Sequence, residues 1–212
     1  MLSDHIPDAE LVRRVAAGDA VALETLFQRR QGEVFRFALN MTASRSIAED
    51  VTQETFLAVM RDAARYDPGL ATVTAWLCGI ARNHVRRRIE RDRRLRPFGD
   101  EEWDEAQDAG QLLADDDPLA NLTRAERVDA VREAILSLPV RYRETVVLCD
   151  LEELSYVDAA AALGCALGTV RSRLHRGRAL LADRLAAQSE KRPQVDKSID
   201  VGRASRTLRT LA

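Results

Sequence analysis

Residues 154–178 read LSYVDAAAALGCALGTVRSRLHRGR, and their spacing predicts two helices meeting at a tight turn. Ser155 is a good helix N-cap, because its hydroxyl can accept from the free amides of a first turn. Residues 156–163 then continue as a helix made mostly of alanine. Gly164 supplies the left-handed backbone that ends a helix at little steric cost. After a three-residue turn a second helix starts near Leu167. Ala160, Gly164 and Val170 have helix-turn-helix spacing: a small residue where the helices approach, a glycine at the turn, and a branched apolar residue packing the second helix on the first. Along the second helix Val170, Leu174 and Leu181 fall on one face, and Thr169, Arg171, Ser172, His175 and Arg176 on the other. Arginine bonds guanine bidentately or pairs with phosphate, and serine and threonine do either more weakly. That face therefore predicts contact with the major groove of duplex DNA. A solvated basic face on an ordinary helical hairpin is the blander reading of the same pattern.

The rest of the chain bounds what such a motif can serve. A length of 212 residues suits one or two domains, and 46% apolar content is enough for packed cores. Net charge is only −2, but it is distributed in blocks. Residues 82–96 hold eight arginines against Glu90 and Asp92, whereas residues 100–117 hold nine acids and no base. This segregation predicts basic surfaces joined by an acidic connector. Cys78, Cys149 and Cys165 are far apart in apolar stretches, which favours buried free thiols over disulfides or ligands. His5, His84 and His175 are scattered, so no metal site or cofactor is expected. No apolar run reaches membrane-spanning length, and MLSDHIPDAE lacks the basic start and apolar middle of a signal peptide. The expected location is the cytoplasm, without membrane insertion.

Periodicity predicts an all-α chain. Strand alternation is missing, and alanine, leucine, arginine and glutamate dominate. Helices are expected over residues 8–17, ending near Gly18, and over 21–39, with Leu23, Leu26, Phe27, Val34 and Ala38 spaced for burial. A third, capped by Ser46, spans 47–65, and a fourth spans 73–94 after a loop at 66–72 marked by Pro68 and Gly69. A first domain thus covers 1–97. Residues 98–121 read as a flexible acidic linker from which Trp103 could dock elsewhere. A second domain covers 122–187. It opens on a Thr123–Glu126 capping box with Val128, Val131, Ile135 and Leu138 as a buried stripe. Pro139 starts its next helix, which ends near Asp150. Residues 188–212 read as a disordered tail.

Two constellations stand out in the first domain. On the third helix Ala48, Val51, Thr55 and Ala58 share one face, while Asp50, Gln53, Glu54 and Leu57 form the opposite stripe at spacings of three and four. A stripe of acid, amide and one exposed apolar residue suits docking of a basic protein partner, although exposed charged stripes are common. Nothing near Asp50 and Glu54 supports paired-carboxylate catalysis. On the fourth helix Trp76, Leu77, Ile80 and Ala81 are expected to pack inward. Arg82, Asn83, Arg86, Arg87 and Glu90 are expected to face out as a phosphate track, with Asn83 as a base reader. Tyr66 or Trp76 could stack on an unpaired base, though core packing is the simpler role for Trp76.

Taken together, AEDVTQETF (48–56), AWLCGIARN (75–83) with its following arginines, and residues 138–181 resemble three blocks of bacterial sigma factors of the small extracytoplasmic-function group, in the family's order. The resemblance covers most of residues 10–187. It implies two small helical domains, like sigma regions 2 and 4, and a transcription initiation factor that is not an enzyme and has no small-molecule substrate. It further implies that Asp50, Gln53, Glu54 and Leu57 contact the clamp of core RNA polymerase, and that the flap region is a second polymerase contact. Tyr66, Arg82, Asn83, Arg86 and Arg87 would meet the minus-ten element, with the 66–74 loop holding a flipped base. Thr169, Arg171, Ser172, His175 and Arg176 would meet the minus-thirty-five duplex. The acidic linker would run toward the RNA exit, and an anti-sigma factor would hold the protein inactive.

Three positions depart from the family pattern. Ala166 stands where serine is usual and removes an N-cap, Glu153 stands where glycine is usual, and Arg87 stands where aspartate is common. The alternative to a sigma factor is a stand-alone helix-turn-helix regulator. Such proteins dimerise on paired half-sites, yet no dimerisation helix is evident, and the Asp50 stripe would have no use.

Overall fold

The computed structural model describes residues 6–95 and 123–191, all helix and connecting turns without a strand. The helices are α1 (Asp8–Ala16), α2 (Ala20–Thr42), α3 (Arg45–Asp62), α4 (Val73–Leu95), α5 (Arg124–Leu136), α6 (Val140–Val146), α7 (Tyr156–Leu163) and α8 (Leu167–Lys191). The predicted acidic linker, 98–121, lies outside the described residues. So does the tail beyond Lys191, while α8 itself continues past residue 187.

In the first half, α1 ends at Gly18, whose φ of 89° is left-handed. Asp19 caps α2, accepting from the amides of Val21 (2.9 Å) and Ala22 (3.0 Å). The Ala22 bond and the Arg14 guanidinium hold its carboxyl below the usual value. Ala43 makes the next turn with φ 53°, and α3 is capped by Ser44, two residues before the expected Ser46. The helical pattern does not distinguish the two serines, but only Ser44 sits outside the helix with extended backbone. A 3-10 turn, Ala63–Arg65, follows Asp62. Leu11, Val12, Leu26, Phe37, Met41, Val51, Val59, Leu77 and Val85 are fully buried between these helices, and Phe27 meets Phe56 edge to face at 4.9 Å.

The second half opens on the expected capping box of Thr123 and Glu126. The buried stripe of α5 is Ala130, Ala134 and Ile135, with Leu138 beyond its end, while Val128 is 42% exposed. The smaller alanines face inward because α5 leans against both α8 and α2. The expected helix from Pro139 runs as α6 and continues as a π-turn, Val147–Leu151. A Cβ on Gly177 would lie 2.8 Å from Val146 Cγ2, so α6 and α8 are in closest contact there.

The two halves share one core. Val147, Leu148, Ala159, Ala162, Leu163 and Val170 join the cluster built by the first four helices. The main seam is α4 against α7, where a Cβ on Gly79 would stand 3.3 Å from the Ala162 carbonyl oxygen. Small residues on both sides let the backbones approach.

Candidate nucleic-acid interface

The helix-turn-helix forms as its residues require. Ser155 Oγ accepts from the Asp158 amide at 3.0 Å, and Gly164 closes α7 with φ 63°. Before α8, Ala166 offers only its carbonyl, which takes the amides of Thr169 (2.9 Å) and Val170 (3.2 Å). Its side chain supplies no cap. Glu153 adopts φ 55°, the left-handed geometry for which glycine is suited. On α8, Val170 and Leu174 are buried and Leu181 is half-buried, while Arg171, Ser172, His175 and Arg176 are exposed and Thr169 is half-buried. Arg178 is tied to Asp150 through Nε at 3.1 Å, fixing α8 to the π-turn.

The fourth helix is less open than its sequence suggests. Asn83, Arg86, Arg87 and Glu90 are exposed. Arg82, expected to face out, is turned into the seam: its side chain is 12% exposed and its Nε lies 3.0 Å from Oε2 of Glu144, itself 1% exposed. Arg86 Nε stands 3.8 Å from the other oxygen of that glutamate. The Arg82 contact is ionic and misaligned, since Arg82 Nε and Glu144 Oε1 have no hydrogen-bond partner among the described residues. Tyr66 packs on Trp76 with ring centroids 5.1 Å apart and donates to the Ala71 carbonyl at 3.0 Å. Both aromatics are half-buried. Burial, with Asp158 and Asp67 nearby, raises the Tyr66 phenol above its usual value.

The α3 stripe is assembled as expected, but it carries partners that the sequence did not reveal. Gln53 and Leu57 are exposed. Arg88 Nη2 lies 3.1 Å from Asp50 Oδ2 and 3.3 Å from Glu54 Oε1, and His84 Nδ1 lies 2.9 Å from Glu54 Oε2. Arg88 and His84 follow one another at helical spacing on α4, which was the only sequence signal that they could reach a common target. Leu57 (59% exposed) and Met60 (56%) border an apolar groove with Leu23, Phe27 and Phe56. The stripe is thus one edge of a mixed acid–apolar face.

Two carboxylates that pattern reading passed over bridge the halves. Asp158 Oδ1 accepts from the Thr72 amide (3.1 Å) and hydroxyl (2.9 Å), just before α4. Burial alone would raise its carboxyl, but the Ser155 and Thr72 bonds outweigh that and hold it below the usual value. Glu152, with its side chain 3% exposed, meets Arg36 at 3.2 Å, and burial pushes its carboxyl up despite that arginine. The signal available for Glu144 was an acid within an apolar run, YRETVVL, where a buried charge needs a partner.

All three cysteines are free. Burial lifts the Cys78 thiol to about 12 and the Cys149 thiol to about 11. Among the described residues no group of three or more His, Cys, Asp or Glu could hold a metal, and no helix is long and apolar enough to cross a membrane.

An all-helical chain with a helix-turn-helix at one end and an acid–apolar stripe beside an arginine-rich helix at the other has the layout of a transcription factor that joins DNA to a protein machine. The Sigma-70 region 2 family matches residues 26–95, and the Sigma-70 region 4 family matches residues 129–181. The chain is 38% identical over 183 residues to the ECF RNA polymerase sigma factor SigE of Mycolicibacterium smegmatis, covering 84% of this chain and 68% of that one. It is 32% identical over 187 residues to the ECF RNA polymerase sigma-E factor of Haemophilus influenzae, covering 87% and 98%. Among solved structures it resembles CnrH in complex with the cytosolic domain of CnrY, with TM-score 0.61, 25% identity, and coverage of 85% and 97%. It also resembles RpoE in complex with the anti-sigma factor NepR from Bartonella quintana, with TM-score 0.57, 25% identity, and coverage of 76% and 95%. The chain belongs to the extracytoplasmic-function group of bacterial RNA polymerase sigma factors.

Proposed function

We propose that this sigma factor docks on core RNA polymerase through the α3 face and holds promoter DNA at two places. Asp50, Gln53, Glu54 and Leu57 meet the polymerase clamp, with Arg88 and His84 fixing the two carboxylates in position. Asn83, Arg86, Arg87 and, once released from Glu144, Arg82 follow the minus-ten strand, with Tyr66 and the 66–74 loop beside it. Thr169, Arg171, Ser172, His175 and Arg176 enter the minus-thirty-five major groove. In this reading residues 1–97 and 122–187 are the two working units.

The observation that carries this reading is the pairing, on one chain, of an exposed acid–apolar docking stripe with an exposed basic recognition helix. A DNA-binding helix alone needs no such stripe. Opening of the duplex is driven by capture of unpaired bases and phosphate contacts, so no hydrolytic residue takes part. The protein works in the cytoplasm, where polymerase and chromosome are, and an anti-sigma protein restrains it. The solved relatives bound to the cytosolic domain of CnrY and to NepR support that last point.

The test is reconstitution. Purified chain, core polymerase and a library of promoter fragments are combined, and run-off transcripts are sequenced. Transcripts from a discrete promoter class, dependent on the chain, are expected. An active core that yields none, with tight promoter binding by the chain alone, would instead identify a stand-alone regulator.

A further inference from the structure

Beside the docking stripe, α3 and α4 enclose a notch of about 380 Å³. From α3 it is lined by Glu54, Leu57 and Arg61, and from α4 by His84, Arg87, Arg88 and Arg91. Spacings of three and four put each set on one face of its helix, so two helices bring four guanidiniums to one carboxylate. That carboxylate is already engaged. Arg88 Nη2 lies 3.3 Å from Glu54 Oε1, and His84 Nδ1 lies 2.9 Å from Glu54 Oε2. Arg88 also reaches Asp50 at 3.1 Å. Arg61, Arg87 and Arg91 are exposed and carry no ion pair among the described residues. Glu90 and Asp92, which flank Arg91, do not line the notch.

The other arginines of α4 are used elsewhere. Arg82 and Arg86 point at Glu144, so the notch lies on a different face from the contact with α6. Only Arg87 belongs both to the notch and to the basic track assigned to the minus-ten element.

A cleft lined by one sign of charge concentrates counter-ions. Each guanidinium presents several N–H donors in a fixed fork, and a lone carboxylate has too few acceptors for three of them. A phosphoanion with several oxygens and more than one charge accepts bidentate bonds from several arginines at once. The volume lies within the range of small-ligand sites, roughly 300–1,000 Å³. No Phe, Tyr or Trp lines the notch, and His84 is held by Glu54, so nothing is placed to stack a base. A nucleic-acid backbone presents its charges singly along a line, whereas here cations from two helices meet at one cavity.

We propose that the α3–α4 notch is a binding site for a compact polyvalent phosphoanion, a diphosphate either free or at the end of a nucleotide, held by Arg61, Arg87, Arg88 and Arg91. The site rests on this geometry and not on the docking assignment of α3, although Glu54, Leu57 and Arg88 serve both.

The test titrates the full chain by isothermal calorimetry, without polymerase or magnesium and at constant ionic strength. The probes are sodium diphosphate, ADP, sulfate and a short single-stranded oligonucleotide. The variant Arg61→Gln, Arg91→Gln removes two free cations from exposed positions of the notch. The control, Arg132→Gln, Arg184→Gln, removes as many from exposed positions of α5 and α8 and matches its net charge. Circular dichroism checks folding, and Arg91→Gln alone serves if the double variant does not fold.

Diphosphate should bind at one site per chain, at least tenfold more tightly than sulfate, and ADP no more tightly than diphosphate. The notch variant should lose tenfold or more, and the control less than twofold. Glu54→Gln, which removes the competing carboxylate, should gain threefold or more. No diphosphate binding, equal binding of sulfate, or equal losses in the notch and control variants would each overturn the site and leave a solvated basic face. ADP binding tenfold tighter than diphosphate would mean that the nucleoside is read, against recognition by phosphate alone. An oligonucleotide that displaces diphosphate, and weakens as much in the notch variant, would make the notch part of the DNA track and overturn the proposal.

Discussion

Arg82 Nε lies 3.0 Å from Oε2 of Glu144, and these two side chains, 12% and 1% exposed, join the arginine-rich helix α4 to the short helix α6 of the DNA-reading half. Removing one partner leaves the other charge buried and unpaired, at a cost of about 3–5 kcal/mol. Glu144→Ala should therefore destabilise the chain strongly. The double substitution Arg82→Met, Glu144→Leu should recover most of that loss, because apolar residues of similar volume replace such pairs well. Urea denaturation of the four proteins measures this. Equal losses for single and double variants would mean that the two charges are not coupled.

Leu57 is the test of the docking face. Being 59% exposed, it contributes little to the fold, so Leu57→Asp should leave the melting temperature unchanged. Core polymerase affinity should fall about tenfold or more, since the substitution would place an unpaired carboxylate in an apolar contact. Titration of labelled core polymerase reads this directly. Asp50→Lys and Glu54→Lys should also weaken binding, and they additionally bring like charge against Arg88.

Two backbone positions should respond in opposite directions. Gly164 has φ 63° with open space at its Cβ, so Gly164→Ala should cost about 1–2 kcal/mol from left-handed strain alone. Glu153 has φ 55°, and Glu153→Gly relieves the same strain, with a gain of up to about 1 kcal/mol after the greater freedom of the unfolded chain is counted. Thermal melts of both variants decide it. A loss with Glu153→Gly would show that the Glu153 side chain holds the turn.

Ala166 precedes α8 and caps it only through its carbonyl. Ala166→Ser should add a side-chain acceptor for the free amides of the first turn, with a gain of roughly 0.5–2 kcal/mol. It should raise the melting temperature and tighten duplex binding through α8. No change in either would mean that the first turn of α8 is already satisfied by solvent.

Glu152 sets a pH dependence. It is buried beside Arg36, with Glu33 and the Cys78 thiol also within its field, and its carboxyl is pushed above the ordinary value of 4.5. A raised carboxyl means that the packed state prefers the protonated form. The charged form therefore weakens packing at neutral pH, and the penalty is relieved as pH falls through the raised value. Glu152→Gln should match or exceed the parent's stability at pH 7, and its advantage should shrink toward pH 5. Melting temperatures across that range provide the check. A variant that loses stability at pH 7 would show that the Arg36 pair outweighs burial.

Most elements were legible because each rests on local chemistry. Gly18, Gly164 and Ser155 end or start helices through their own backbone preferences, and the apolar period of α2, α3 and α8 sets the inward face whichever neighbour covers it. Ser46 misled because two serines stand at the same helix entry, and only the backbone geometry of Ser44 makes it the cap. Val128 misled because helical period finds an apolar stripe but not the direction from which it is covered.

By itself, then, the order of residues determined an all-helical chain, its helix-turn-helix, the α3 stripe and the resemblance that names the family. These depend on contacts within a few residues or within one helical turn. The tertiary structure alone decided that Arg82 faces Glu144, that Arg88 and His84 hold the docking acids, and that Asp158 closes on Thr72. Those pairs are 62, 38, 30 and 86 residues apart for Arg82–Glu144, Asp50–Arg88, Glu54–His84 and Thr72–Asp158. A side chain's helical face is set by its near neighbours, but which charge waits opposite it is set by how whole helices pack.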